Sequence, residues 1–284
     1  AANVGTTELY MRGESNGTAT LMTSKGMTAL NAGRRGYIGG LTLSNDTDTD
    51  HDINVTAGEC MDSTNAQLLV LGSETTKQID AAWAAGNDAG GLFSGTVTTT
   101  TWYHFFIIQK DSDGSIDAGF DTSVTAANIP AGYTKFRRIG SVLTDGSSNI
   151  IAFEQDGDMF LWDVPVADRN GTNPGTSALT TTLSTPTGVV TKAIVTVDQF
   201  DDSIAADYHV LVTALDQTDT TPTSAVKTFT VMATTVGAND GNSATVIVPT
   251  NTSSQIRTRQ TDSQADITIV MVTHGWIDDR GRFD

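Results

Sequence analysis

Short segments in which apolar and polar residues alternate recur along this chain, the pattern of half-buried strands. Residues 37–43 (YIGGLTL) read as a first strand, residues 52–57 (DINVTA) alternate with period two, and residues 67–71 follow a turn as another strand. Residues 102–109 (WYHFFIIQ) carry apolar side chains on both faces and predict an interior strand. Turn residues punctuate these runs at 111–114 (DSDG), at 130–133 (PAGY) and at Asp145 and Gly146. Strands are expected between and after them at 135–143, 150–155 and 160–162. Farther along, residues 192–197, 208–213, 227–232, 244–248, 255–259 and 267–272 alternate again between polar turns. Two segments depart from the pattern. Residues 76–85 predict one short helix, because Ile79, Ala82 and Trp83 fall on one face and Gly86 supplies a stop. Residues 21–30, interrupted by Gly26, fit another short helix in a mixed N-terminal stretch.

Short strands at regular spacing predict an all-β chain built as two antiparallel β-sandwich domains with jelly-roll-like wiring, one short helix and a less regular N-terminal segment. A length of 284 residues favours two domains, with one large β domain as the alternative. Residues 168–174 concentrate Gly, Asn and Pro, so the division is placed there. The chain then divides into an N-terminal anchoring segment (1–35), a first β domain (36–167) and a C-terminal sandwich (168–284).

The charge narrows the partners. A formal net charge of −17 opposes nucleic acid as the main partner, since phosphate binding needs clustered Lys and Arg. It opposes an anionic membrane surface for the same reason. No run approaches the ~18 apolar residues of a membrane span, and no basic-then-apolar signal begins the sequence. Cys60, the single cysteine, permits no intrachain disulfide, and its Ala-Gly-Glu-Cys-Met context reads as a small strand residue.

Candidate chemistry is sparse. Asp46, Asp48, Asp50 and Asp52 alternate across one loop and could supply hard oxygen ligands to calcium, but a solvated acidic loop explains the same spacing. Asp111, Asp113 and Asp117 with Gly114 resemble the opening of a calcium loop, yet the distal Glu is replaced by Thr122, and a hairpin turn accounts for them. The four histidines, His51, His104, His209 and His274, are dispersed, and His104 and His209 lie in strand patterns. No nucleophile elbow, phosphate loop or dinucleotide fingerprint is present. Trp102, Tyr103 and Trp276 could stack on sugar rings, with core packing the simpler role. Neither a metal nor a cofactor is expected. Trp276, Asp278, Asp279, Arg280 and Arg282 form a charged, exposed-looking tail suited to an inter-subunit contact through arginine forks, with a merely solvated end as the alternative.

Several segments carry a resemblance in order and spacing: 36–45 (GYIGGLTLSN), 52–60 (DINVTAGEC), 76–83 (TKQIDAAW), 90–92 (GGL), 102–108 (WYHFFII), 132–141 (GYTKFRRIGS) and 273–282 (THGWIDDRGR). Together they resemble a module of tailed-bacteriophage and prophage structural proteins of the tail or tail-fibre type, over roughly residues 36–155 plus the C-terminal segment. The resemblance implies a virion protein, assembled in the host cytoplasm, that works with other virion proteins by presenting surfaces rather than by catalysis. By analogy it is a homo-oligomer, a trimer in fibre-like appendages, and a host surface glycan is a candidate target. A capsid decoration or head-fibre protein and a surface-polysaccharide depolymerase are the alternatives.

Overall fold

The computed structural model describes residues 9–13, 19–23, 34–201, 207–232, 240–262 and 264–283. Among them are 21 strands and no helix. β1 (Leu9–Gly13) and β2 (Ala19–Thr23) pair antiparallel as a two-stranded sheet of their own. Five short strands follow: β3 (Ile38–Gly40), β4 (Leu43–Asn45), β5 (Asp52–Val55), β6 (Gly58–Met61) and β7 (Leu68–Leu71). Next come β8 (Thr75–Ala82), β9 (Ala89–Leu92), β10 (Trp102–Lys110), β11 (Ile116–Asp121), β12 (Tyr133–Leu143) and β13 (Phe153–Asp156). β14 (Met159–Thr172) is the longest strand and leads to β15 (Leu179–Thr182), β16 (Lys192–Asp201) and β17 (Tyr208–Ala214). The chain ends with β18 (Phe229–Val231), β19 (Asp240–Pro249), β20 (Gln255–Gln260) and β21 (Thr268–Ile277).

These strands form sheets with the orders β12-β10-β11-β9-β8-β5-β4, β3-β6-β7, β13-β14-β21-β16-β19 and β15-β20-β17-β18, besides the β1-β2 pair. Strand β10 shows why its apolar run tolerates no polar face. It is paired on both edges, to β11 and β12, and strict alternation sends Phe105 and Ile107 into one apolar cluster and Phe106 and Ile108 into another. The first cluster also receives Leu41, Leu43, Ile53 and Phe120, and from the far end of the chain Trp276. A separate cluster lies between the last two sheets, with Val195, Val197, Ile269 and Met271 from one and Val210, Phe229 and Ile256 from the other.

The predicted helix at 76–85 is a strand. Residues 77–82 alternate once Lys77 is counted as buried, with Lys77 and Ile79 inward and Gln78 and Asp80 less so, and β5 pairs with β8 from Asp52 to Val55. A helix of that length is marginal on its own, and two successive threonines favour the extended chain. The i, i+3, i+4 pattern arises because Trp83 lies just beyond the strand, where its indole donates to the Ala118 carbonyl at 3.0 Å. The second helix expectation, at 21–30, meets β2 at residues 21–23, and the rest of it lies outside the described residues.

The sheets are not antiparallel throughout, because β9 runs parallel to both β8 and β11. Parallel neighbours usually need a crossover of a dozen or more residues. Here residues 83–88 suffice, because they fold around the fully buried Lys77 ammonium. It donates to the carbonyls of Ala84 (2.7 Å) and Gly86 (3.1 Å) and pairs with Asp117 at 3.2 Å. Asp117 in turn accepts from the amides of Gly86 (2.8 Å) and Ala118 (2.7 Å). Close approach completes the arrangement: a Cβ on Gly119 would sit 2.3 Å from the Phe93 ring and 2.5 Å from the Gly91 carbonyl. Burial lowers the Lys77 pKa, and the neighbouring Asp117 carboxylate opposes that shift.

Removing one partner should therefore cost more than removing both charges. Lys77→Met is expected to lower the unfolding free energy by about 3–5 kcal/mol, by leaving Asp117 buried and unpaired. Adding Asp117→Asn should restore part of that loss in urea unfolding; equal losses in the single and double variants would mean that the pair is not coupled.

Candidate functional site

Several turns and loops and one sheet edge line a concavity of about 640 Å³. Strand β12 is the outermost strand of its sheet, so the consecutive residues Phe136, Arg137 and Arg138 all line it. Beside them lies the turn holding Ser63, Thr64 and Asn65. The Asp62 carboxylate organises that turn by accepting from the Ala66 and Gln67 amides and the Thr64 hydroxyl. The Ser63 amide bonds the Phe136 carbonyl at 2.8 Å, which fixes the turn to β12. Asn65 accepts the Gly36 amide at 2.6 Å and thereby holds the neighbouring turn that carries Arg35. Gly36 has φ +68°, and a Cβ there would meet the Arg282 carbonyl at 1.8 Å, so the turn also abuts the end of the chain.

The opposite wall consists of Val124 and Thr125, the loop Gly188 to Val190, and Thr252. A bond of 2.7 Å from the Gly188 amide to the Thr252 carbonyl joins the last two. The C-terminal turn, Asp279 to Gly281, closes the site. Four arginines, Arg35, Arg137, Arg138 and Arg280, thus line one concavity of a chain with 16 Lys and Arg and 33 acidic residues, and Asp279 is the only carboxylate among the lining residues.

A buried polar network fixes this wall. Arg138 makes a two-pronged contact with Asp278, Nη1 to Oδ2 at 2.6 Å and Nη2 to Oδ1 at 2.7 Å, and Nη1 also reaches the Ser141 hydroxyl at 3.2 Å. Burial by itself would raise the Asp278 carboxyl, but the Arg138 guanidinium and the Arg280 amide, 2.8 Å from Oδ1, hold it below the usual carboxylate range. Arg280 donates from Nη2 to Asp158 at 2.6 Å, and Arg282 pairs with the same carboxylate. Behind them His104 Nδ1 lies 2.8 Å from the Ser141 hydroxyl. The Ser-His pair is fully enclosed, so this hydroxyl meets no substrate.

No protein-family model and no curated protein sequence matches the chain. Among solved structures, one of infectious bursal disease virus, Gx strain, aligns with 84% of this chain and 70% of its own at 13% identity. Its TM-score is 0.15, too low to carry an argument.

The C-terminal residues expected to be exposed are mostly not. Trp276 is fully buried, stacked on Phe160 at 5.3 Å with Trp102 and Trp162 packed at 5.4 and 4.9 Å. Asp278 and Arg280 are buried within their own chain, Arg282 is held on Asp158, and only Asp279 is freely exposed. The cause is the fork: Arg138 draws the turn inward, and the aromatic stack holds the strand before it. Trp276 and Tyr103 are therefore closed to sugar stacking, and Trp102 packs with the tryptophan group.

The acidic loops are also committed elsewhere. Asp46 accepts the Thr76 hydroxyl, and Asp48 contacts His51 at 3.1 Å. Asp111 and Asp113 face outward to Lys135 and Lys110, whereas Asp117 points inward to Lys77. Among the described residues no three His, Cys, Asp or Glu side chains gather as a metal site would require. His209 and His274 bond Thr230 and Thr196 across their sheets. Cys60 is buried in β6, where burial pushes its thiol up to about 12.

Sequence reasoning missed Arg35, Arg137 and Arg138. The available signal was the pairing of rare cations at 34–35 and 137–138 in an acidic chain.

Burial, reinforced by the Arg138 charge, pushes His104 down to about 4 from an ordinary 6.5. The unfolded chain therefore takes up this proton first as the pH falls. The stability contributed by neutral His104 is complete above about pH 6.5 and is lost progressively toward pH 4, by about 3 kcal/mol for such a shift. His104→Asn should flatten this part of the stability–pH profile measured by urea unfolding; an unchanged slope between pH 6.5 and 4 would assign the loss to other groups.

Proposed function

We propose that this protein is a structural component of a tailed-phage particle, a tail-fibre or tail-appendage protein that serves assembly and host-surface attachment. One observation carries the reading beyond the resemblance itself. Two of the segments that resemble phage structural proteins, 132–141 and 273–282, lie far apart in sequence and meet through the Arg138–Asp278 fork, separated by 140 positions. The resembling motifs thus behave as parts of one built unit, which supports their being a module rather than chance likenesses.

In this reading the chain comprises an N-terminal anchoring segment and two sandwich units dividing near residue 168. The two large apolar clusters, one drawn mainly from residues 38–166 and the other from 179–271, support the division. Strand β14 runs through residue 168 without a break, so the units share a strand instead of a loose linker. Jelly-roll-like wiring in the second unit is supported by the alternation of β15, β16 and β17 between its two sheets. Rigid strands that present turns at their ends suit contact with a neighbouring subunit or a cell surface. The protein acts without catalysis, in the virion, as a homo-oligomer beside other virion proteins.

Gold-labelled antibody against the purified protein is expected to decorate phage tails in electron micrographs. Decoration of heads alone would convert the assignment to a capsid decoration or head-fibre protein, and unlabelled particles would end it. Light scattering should return a multiple of the 29.9 kDa chain mass, and a monomer at micromolar concentration contradicts self-assembly.

A further inference from the structure

We propose that the arginine-lined concavity beside β12 is a binding site for an anionic group carried on a hydroxyl-rich body, that is, a carboxylated or phosphorylated sugar unit. This assignment stands on the site's chemistry and holds whether or not the protein belongs to a particle.

The first support is the distribution of charge. In a chain of net charge −17, four arginines and one aspartate line a single wall system, which concentrates positive groups there. Asp278 and Asp158 stand behind Arg138 and Arg280 and hold them in place, which lowers the local field but fixes its direction. The second support is the way that wall is held. Arg280 is only 4% exposed and lines the concavity, with its Nη2 fixed on Asp158 at 2.6 Å. A guanidinium held in one orientation presents its charge to an anion in a constant direction.

The remaining wall determines what carries the anion. Ser63, Thr64, Asn65, Thr125 and Thr252 offer hydroxyl and amide groups, and Val124 and Val190 supply an apolar surface. A sugar ring presents hydroxyls at its rim and C–H groups on its faces, and so uses both kinds of surface. About 640 Å³ falls within the roughly 300–1,000 Å³ of small-molecule sites and exceeds the needs of a bare phosphate or carboxylate. Bidentate arginine recognition serves carboxylate and phosphate alike, so the charge-bearing group is defined as either one.

Titration calorimetry of the full chain in low salt, with glucuronate, glucose 6-phosphate, glucose and inorganic phosphate, separates these chemistries. At least one charged sugar is expected to bind saturably and at least tenfold tighter than both glucose and inorganic phosphate; which of the two binds tells carboxylate from phosphate. Its affinity should fall as salt is raised. Val190→Glu and Arg35→Glu alter exposed lining residues and should each weaken binding tenfold or more without lowering the melting temperature. The proposal fails if neither charged sugar saturates at millimolar concentration, if glucose or inorganic phosphate binds as tightly as the charged sugars, or if folded Val190→Glu and Arg35→Glu both bind unchanged.

Discussion

Arg138 and Asp278 meet where burial makes an unpaired charge costly. Moving either ion from water into the protein costs several kcal/mol, and only a well-formed partner returns that energy. The fork provides two short parallel bonds, and the Ser141 hydroxyl and Arg280 amide take up remaining capacity on each side. The pair ties the end of β21 to β12. Two features accompany that tie. Trp276, two residues earlier, enters the first apolar cluster, and the turn after Asp278 becomes a wall of the concavity.

Lys77 and Asp117 solve a similar problem in another place. A buried ammonium with three donors can gather carbonyls that no strand neighbour would satisfy, and here it gathers those of Ala84 and Gly86. This contact lets a short link join parallel strands. An apolar side chain of similar volume could fill the space as firmly, so stability alone does not account for a lysine there. What the ammonium adds is an address for two specific carbonyls. Both buried pairs connect segments that the hydrophobic pattern leaves undetermined, since apolar contact has no direction of its own.

Period-two alternation made the strands legible wherever one face met a core, as at residues 192–197, 208–213 and 255–259, which became parts of β16, β17 and β20. It failed at residues 76–85 because the inward residue at position 77 is a lysine, which a polarity pattern scores as outward. Pairing order was not legible either. β9 beside β8 and β11 depends on Gly91, Gly119 and the enclosed ammonium, none of which alters a local period. The C-terminal tail was misjudged for a related reason. Asp278, Asp279, Arg280 and Arg282 read as solvated charge, and the partners that bury two of them, Arg138 and Asp158, are more than a hundred positions away. A charge cluster seen in one dimension shows nothing about its complement.

The position of the arginines also bears on selectivity. At physiological ionic strength the Debye length is about 8 Å, so the acidic surface as a whole does little to an anion beyond that distance. Within it, an anion approaching most of this chain meets exposed carboxylates such as Asp80 or Asp88 and is repelled. At the concavity it meets guanidinium groups backed by carboxylates, of which Asp278 is held by the bidentate fork and the Arg280 amide. The surrounding negative charge thus sharpens discrimination by position and adds nothing to the attraction itself. Orientation must then come from the fixed planes of Arg138 and Arg280, which are set by Asp278 and Asp158 before any ligand arrives. Preorganisation of that kind lowers the ordering cost of binding, and it ties the quality of the site to the same buried fork that closes the fold.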